Sequence, residues 1–172
     1  PIAGTPGEIP VPDDFRDLPE NKGPEALVVL PADDQSGRVI VAIAERAVDG
    51  LLSGFILGRG ETGRFKVRAH EEFDATDAAL APNGDILLLQ RRFSILTGPS
   101  MAISRISRDD IADGATIEPE LLMAADATQE IDNMEALGIH ESENGRTILT
   151  ILSDNNFNSL QRTVLLRFEW LH

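Results

Sequence analysis

Three stretches of the sequence decide the fold: EALVVLPADDQSGRVIVAIAE at residues 25–45, DAALAPNGDILLLQRR at residues 77–92 and EALGIHESENGRTILTILSD at residues 135–154. Each stretch opens with an acidic residue followed by Ala, runs through apolar residues to a turn at a Gly, and resumes as a longer apolar run that ends in charge. Paired apolar runs joined by a turn are typical of β-hairpins. The stretches begin about 50–60 residues apart, a period that indicates four-stranded antiparallel blades.

Shorter apolar runs between these hairpins complete the units. Links such as RGETG and APNGD are rich in turn residues, whereas single helical turns are expected only at residues 108–112 and 124–130. The sequence therefore predicts an all-β protein. The expected strands cover residues 26–30, 38–45, 51–58, 65–70, 78–81, 85–92, 101–107, 121–124, 137–140, 147–153 and 163–170.

The repeat predicts a β-propeller-like arc of about three four-stranded antiparallel blades, with units at about residues 25–74, 75–130 and 131–172 and an incomplete last blade. Since propellers have about four to eight blades, we expect residues 25–172 to be a single domain that is part of a larger propeller. The missing blades would come from the parent chain or an oligomeric partner. A β-sandwich is the alternative. The Pro-rich residues 1–24 predict an extended arm without a helix.

Composition excludes several classes of protein. The 172 residues contain no Cys, which rules out disulfide scaffolds, thiolate zinc sites and thiol nucleophiles. With 15 Lys and Arg against 29 Asp and Glu, the net charge of −14 disfavours nucleic acid as a partner. Apolar runs are too short for a membrane helix. No leader is visible, and a chain that opens at Pro1 is expected to be a mature or trimmed segment.

Charged residues recur at the ends of the predicted strands. In a propeller these ends converge at one mouth of the central channel, so oxygen ligands from several blades would meet there and would suit Ca²⁺. The alternative is that each side chain only satisfies backbone groups in a turn. The expected metal ligands are Glu25, Glu45, Asp77, Glu135, Asp154 and Asn156, and the expected catalytic residues are Glu135, Asp154, Arg91, Arg92 and Arg162.

The segment at residues 131–162 is the richest in such groups. Asn133 and Glu135 are two residues apart and so share one face of a strand, while Asp154 and its two following Asn residues cluster after the next strand. Arg162 then precedes the last strand. Its guanidinium can brace a carboxylate or clamp a phosphate, and the sequence does not separate the two roles.

Three ordered motifs resemble a known family. DNMEAL at residues 132–137 followed by SDNNF and LQRTVLLRF, together with NKGPEAL from residue 21 and GDILLLQRRFS from residue 84, resemble the family called esterase-like activity of phytase. The resemblance implies a propeller-like, periplasmic or extracellular protein with phosphoesterase or phytase-like activity. Three residues depart from the family pattern: Gln90 stands for Glu, Asn155 for Asp and Ala136 for Gly.

We therefore expect a phosphoesterase assisted by Ca²⁺ and acting on a small-molecule phosphate ester. The metal would neutralise the substrate and activate water, and the arginines would hold phosphate or brace the acids. The alternative from another class is a propeller that only binds partners or acts as a scaffold. A Ser-dependent carboxylic-ester hydrolase is less favoured, because no GxSxG motif is present and the three His residues have no metal-binding spacing.

Overall fold

The computed structural model describes residues 4, 11–16, 18, 22–33, 37–58 and 62–171, and this part of the chain is almost entirely β-structure, as predicted. Its strands form three sheets, in the orders β1-β2-β3-β4-β8, β5-β6-β7-β9 and β10-β11-β12. The strands are β1 (Pro24–Asp33), β2 (Gly37–Ala44), β3 (Leu51–Leu57), β4 (Thr62–Arg68), β5 (Asp74–Leu80), β6 (Ile86–Ser94), β7 (Gly98–Ile106), β8 (Thr116–Ile117), β9 (Glu120–Asp126), β10 (Met134–Glu141), β11 (Thr147–Ser153) and β12 (Leu165–Glu169).

Helices are few and short. A 3₁₀ turn at Arg108–Asp110 confirms one expected helical turn, and a second lies at His70–Glu72. The turn expected at residues 124–130 is wrong, because its first residues continue β9 along β7. The arm expected to lack a helix contains α1 (Asp13–Arg16), whose Phe15 packs edge-on against Phe55. Within the described residues, no helix is long and apolar enough to cross a membrane.

The second sheet lies between the other two and is buried on both faces. Ile86 and Leu88 pack into a core shared with the first sheet, whereas Leu87 and Leu89 pack into a core shared with the third sheet. All four side chains are fully buried. The continuous apolar run of β6 is therefore explained by alternate residues pointing into two different cores. Part of the other face of the first sheet is covered by Val11, Phe15 and Leu18.

The first strands of the three sheets lie side by side, with β5 between β1 and β10. The amide of Ala75 donates to the carbonyl of Glu45 at 2.7 Å, which joins the first and second sheets. The second and third sheets are joined by Asp77, whose Oδ2 accepts from the Leu137 amide at 2.7 Å. One addition was not predicted: β8, which lies between β7 and β9 in sequence, pairs in parallel with β4 of the first sheet.

Replacing Asp77 should loosen the junction between the second and third sheets. Its two carboxylate oxygens accept from the amides of Ala78 and Leu137, so Asp77→Ala leaves a partly buried amide without its acceptor. We expect a loss of about 2–3 kcal/mol in the free energy of unfolding, measured by urea denaturation. Glu143→Ala, in an exposed turn, is the matched control and should change stability by less than about 0.5 kcal/mol. Equal effects of the two substitutions would contradict this role for Asp77.

Candidate active site

A β-bulge interrupts the first strand of every sheet at the same place. The register between first and second strands shifts between Pro24 and Ala26, between Ala75 and Asp77, and between Met134 and Ala136. The extra residues are therefore Glu25, Thr76 and Glu135. Asp77, which the sequence repeat matched to the two glutamates, lies one residue too late to be equivalent to them. Bulges re-aim side chains and are frequent next to active sites.

The bulges bring together an acid–arginine cluster that draws on all three sheets. Its central cation is Arg91, which lies within β6 of the middle sheet and forms a 3.1 Å ion pair with Glu135. The side-chain amide of Asn133 donates to the same Glu135 oxygen at 2.6 Å. The cluster consists of Lys22, Glu25, Glu45, Arg91, Asn133 and Glu135.

The first sheet contributes two acids to this cluster. Glu45 is almost fully buried and forms a 2.9 Å ion pair with Lys22. Glu25 is exposed as a residue, but partial desolvation of its carboxyl group raises its pKa. The nearby carboxylates of Glu45 and Glu135 raise this pKa further, and the positive charges of Arg91 and Lys22 oppose the effect. A raised carboxyl pKa beside an arginine is a feature of acid–base sites.

One nitrogen of Arg91 has hydrogen-bonding capacity that no described residue uses. Its Nε is buried and has no hydrogen-bond partner among the described residues. Buried donors are normally satisfied, so an open one needs an explanation. Beside it, both contacts to Glu135 go to Oε1 and leave Oε2 for another group. The Nε is closed to solvent, whereas the Arg91 side chain as a whole is 26% exposed, so a ligand can approach Arg91 only through its other nitrogens.

The other predicted metal ligands, Asp77, Asp154 and Asn156, lie outside the cluster and form hydrogen bonds of their own. Both oxygens of Asp77 accept backbone amides. Asp154 is exposed, and its Oδ1 accepts from the amide of Asn156 at 3.0 Å, while the side-chain amide of Asn156 donates to Gln161 at 3.3 Å. These are the local contacts of turn-forming residues. Of the six predicted metal ligands, Glu25, Glu45 and Glu135 are the ones brought into the cluster.

The other two predicted arginines have acidic partners of their own. Arg92 contacts Glu71 through a 3.4 Å ion pair and lies 4.7 Å from the centre of the Phe73 ring. Arg162 forms a 3.1 Å ion pair with Glu130 and has Asp132 at 3.8 Å. Both arginines thus brace loops, and Arg91 is the arginine that lies in the cluster.

Gln90, which stands for the Glu expected from the family pattern, lies inside the protein. It is fully buried, accepts from the His70 amide at 3.0 Å and donates to the Ser104 hydroxyl at 3.1 Å. Its side chain therefore takes no part in the acid–arginine cluster. Loss of a carboxylate at this position changes interior hydrogen bonding and removes no oxygen from the site.

A cavity of about 280 Å³ opens beside Arg91. One part of its wall is polar, with Arg91 and Asn133 from the cluster and Gln161 from the loop after β11. Another part is apolar and is formed by Phe93, Pro99 and Leu160. A ligand held by Arg91 would therefore have space next to it.

Two members of the cluster were missed or left without a role by the sequence. Lys22 lies in the arm, and its pairing with Glu45 depends on tertiary structure. Asn133 was noted for its position on the Glu135 face, which is the signal that could have assigned it a place in the site. Within the described residues, no group of three His, Cys, Asp or Glu side chains is arranged to hold a metal ion.

The pKa of Glu25 gives a testable dependence of stability on pH. Because the folded-state pKa is raised above the unfolded value, the charged form of Glu25 destabilises the fold at pH 7. Glu25→Gln should therefore raise the Tm at pH 7 by a small amount, because solvent screens an exposed carboxylate. The gain should fade as the pH drops through the unfolded-state pKa of a glutamate, below which Glu25 is protonated in both states. Differential scanning calorimetry from pH 3 to 8 measures this, with Glu143→Gln as control. A lower Tm for Glu25→Gln at pH 7 would contradict the assignment.

One of three comparisons with known proteins agrees with the resemblance in the sequence. A search of curated proteins and a search of solved structures each found no significant match. A scan against family models matches residues 3–157 to the Phytase-like family, described as esterase-like activity of phytase. All residues of the acid–arginine cluster lie within the matched range. Because this match covers most of the 172-residue chain, the protein belongs to the Phytase-like family, whose description is that of a hydrolase.

Proposed function

We propose that the protein is a phosphoesterase and that the acid–arginine cluster is its catalytic centre. The observation that carries the proposal is Arg91, a cation that pairs with Glu135, acts on the nearby Glu25 and lies in the wall of a cavity. A guanidinium fork matches the oxygens of a phosphoryl group. In a chain of net charge −14, such a local cation is what an anionic ester needs in order to bind.

The arrangement of sheets supports a propeller-like arc as the frame of this site. The first strands lie side by side, and each successive sheet packs face to face on the one before. The two end sheets expose apolar residues: Leu27 and Val29 of the first, and Leu152 and Leu165 of the third. Further blades, from the parent chain or from a partner, would cover these faces and close the channel around the cluster.

Two carboxylates of the cluster suit opposite roles in hydrolysis. Glu25, with its raised pKa, is suited to give a proton to the leaving oxygen, as a general acid does. Glu135 is held by Arg91 and Asn133 through one oxygen, so the other can accept a proton from the attacking water. The bond from phosphorus to the ester oxygen breaks as the bond from water oxygen to phosphorus forms. One proton is taken up by Glu135 and one is released by Glu25.

Substitution of Arg91 tests this function. Arg91→Ala should lower kcat/KM for p-nitrophenyl phosphate by at least about 100-fold, because the substrate loses its main cation. Arg91→Lys keeps the charge but not the fork, so it should retain part of the activity and its fold can be checked by its Tm. Arg146→Ala, which removes an exposed arginine paired with Glu169, is the control and should keep full activity. Equal rates for Arg91→Ala and Arg146→Ala would refute the role.

We also propose that Ca²⁺ assists the reaction. The donor type fits, since Glu25, Glu45 and Glu135 offer only hard oxygen ligands, although the described residues form no ready three-ligand group. These three residues would have to move closer together than in the structure in order to hold the ion. A Glu25 bound to the ion would be deprotonated, so the metal would replace its role as general acid. Bound there, the ion would offset the negative charge of the substrate and lower the pKa of water.

Calcium binding can be measured as stabilisation. At a concentration of 100 Kd, Ca²⁺ should stabilise the fold by about 2.7 kcal/mol and raise the Tm by about 5–10 °C, reversibly with EGTA. The double variant Glu45→Gln, Glu135→Gln should lose most of this shift, whereas Glu143→Gln should keep it. A shift of the same size in both variants would place the ion elsewhere, and no shift in the parent would exclude the Ca²⁺ proposal.

A non-catalytic scaffold is the second candidate. It is favoured by the pairing of Lys22 with Glu45 and of Arg91 with Glu135, which together form an internal ion-pair network. A protein in which the network is only structural would not hydrolyse p-nitrophenyl phosphate, bis-p-nitrophenyl phosphate or phytate. It would still respond to Glu25→Gln as described above, so the activity assay separates the two candidates.

A further inference from the structure

We propose that the substrate carries an apolar, ring-sized group next to its phosphate, and that the cavity between Phe93 and Leu160 receives this group. The inference rests on the proposed phosphoesterase function and names its substrate class. Arg91 belongs both to the acid–arginine cluster and to the cavity wall, so a phosphoryl group at Arg91 would direct its ester substituent into the cavity.

The apolar part of the wall is built on paired strands. Phe93 on β6 lies opposite Pro99 on β7, so the two rings stand as a cross-strand pair. Phe93 is exposed although its ring is large and apolar. Exposed apolar groups that line a concave surface mark a binding site rather than a chance feature of the surface.

The loop after β11 holds the opposite part of the wall in place. The side chain of Asn158 accepts from the amide of Leu160 at 3.0 Å, and the amide of Asn158 donates to the carbonyl of Asn155 at 2.7 Å. These turn contacts fix a leucine that is 89% exposed. A loop whose own hydrogen bonds present an apolar side chain to a cavity is organised in advance for an apolar ligand.

The charge around the cavity disfavours a polyanionic substrate. Both arginines in its wall already have an acidic partner, Glu135 for Arg91 and Glu71 for Arg92. Asp132 in the same wall and Glu135 beside it would repel every phosphate of a substrate. This repulsion grows with each phosphate that the substrate carries. The site therefore fits a monoester with an aromatic or branched aliphatic substituent better than a polyol that carries many phosphates.

Binding and hydrolysis of two phosphate monoesters test the inference. The probes are 1-naphthyl phosphate and glycerol 2-phosphate, which share the phosphate and differ in the polarity of the substituent. Calorimetry should give a Kd at least about tenfold lower for the naphthyl ester, and kcat/KM should follow the same order. Leu160→Ser should remove most of this preference by weakening naphthyl phosphate alone. Leu96→Ser, at a hairpin tip that is 94% exposed and outside the cavity wall, is the matched control and should leave the preference unchanged.

The outcomes separate this inference from the proposed function. Hydrolysis of both esters with equal kcat/KM, unchanged in Leu160→Ser, would overturn the apolar subsite and leave the phosphoesterase standing. Preferential binding of 1-naphthyl phosphate without release of inorganic phosphate would overturn the phosphoesterase and support the subsite. A preference that Leu160→Ser and Leu96→Ser reduce equally would also overturn the subsite, because the effect would not come from the cavity.

Discussion

Burial of β6 on both faces is the constraint on which the rest of the structure depends. Residues 86–89 are four consecutive apolar side chains with no exposure to solvent, two directed to each core. Full burial of each contributes about 1.5–3 kcal/mol, which is lost on either side if a neighbouring sheet is removed. The middle sheet thus requires a sheet on both faces. The same stacking fixes Arg91, two residues after the run, at the point where β6 leaves the core.

The bulges convert this stack into a site. Side chains alternate along a strand, and one extra residue shifts the alternation so that a side chain at the bulge leaves the pattern of its neighbours. Glu25 and Glu135 occupy this position in the outer sheets, whereas the middle sheet has Thr76, whose hydroxyl donates to the carbonyl of Met134 at 3.2 Å. Two acids therefore flank the arginine supplied by the middle sheet, and the neutral Thr76 helps to hold that sheet against the third.

The strands could be predicted because burial imposes an apolar pattern on each segment. Glu25, Glu45, Arg91 and Glu135 could be named as candidates because they lie at equivalent places in the repeated hairpins. The one-residue error at Asp77 arose because Glu-Ala and Asp-Ala look alike, while the bulge that separates them is visible only in the register. Lys22 joins the site through its ion pair with Glu45, and these two residues are 23 positions apart in the sequence. The two-residue β8 belongs to the second unit and pairs with β4 of the first, and so short a strand carries no periodic signal.

The loop SDNNFNSLQR shows why residue type alone could not separate ligands from turn formers. Short side chains with oxygen atoms coordinate hard cations and also bond backbone amides two residues ahead, and Asp154, Asn155 and Asn158 each do the latter. The loop thereby positions Leu160 and Gln161 at the cavity, while the charged groups of the cluster lie on or beside the ends of paired strands. Since the net charge of −14 opposes every anion that approaches, it cannot by itself select one phosphate ester over another of equal charge. Selection among them must come from the shape and polarity of the cavity, and so from this loop and the Phe93–Pro99 pair.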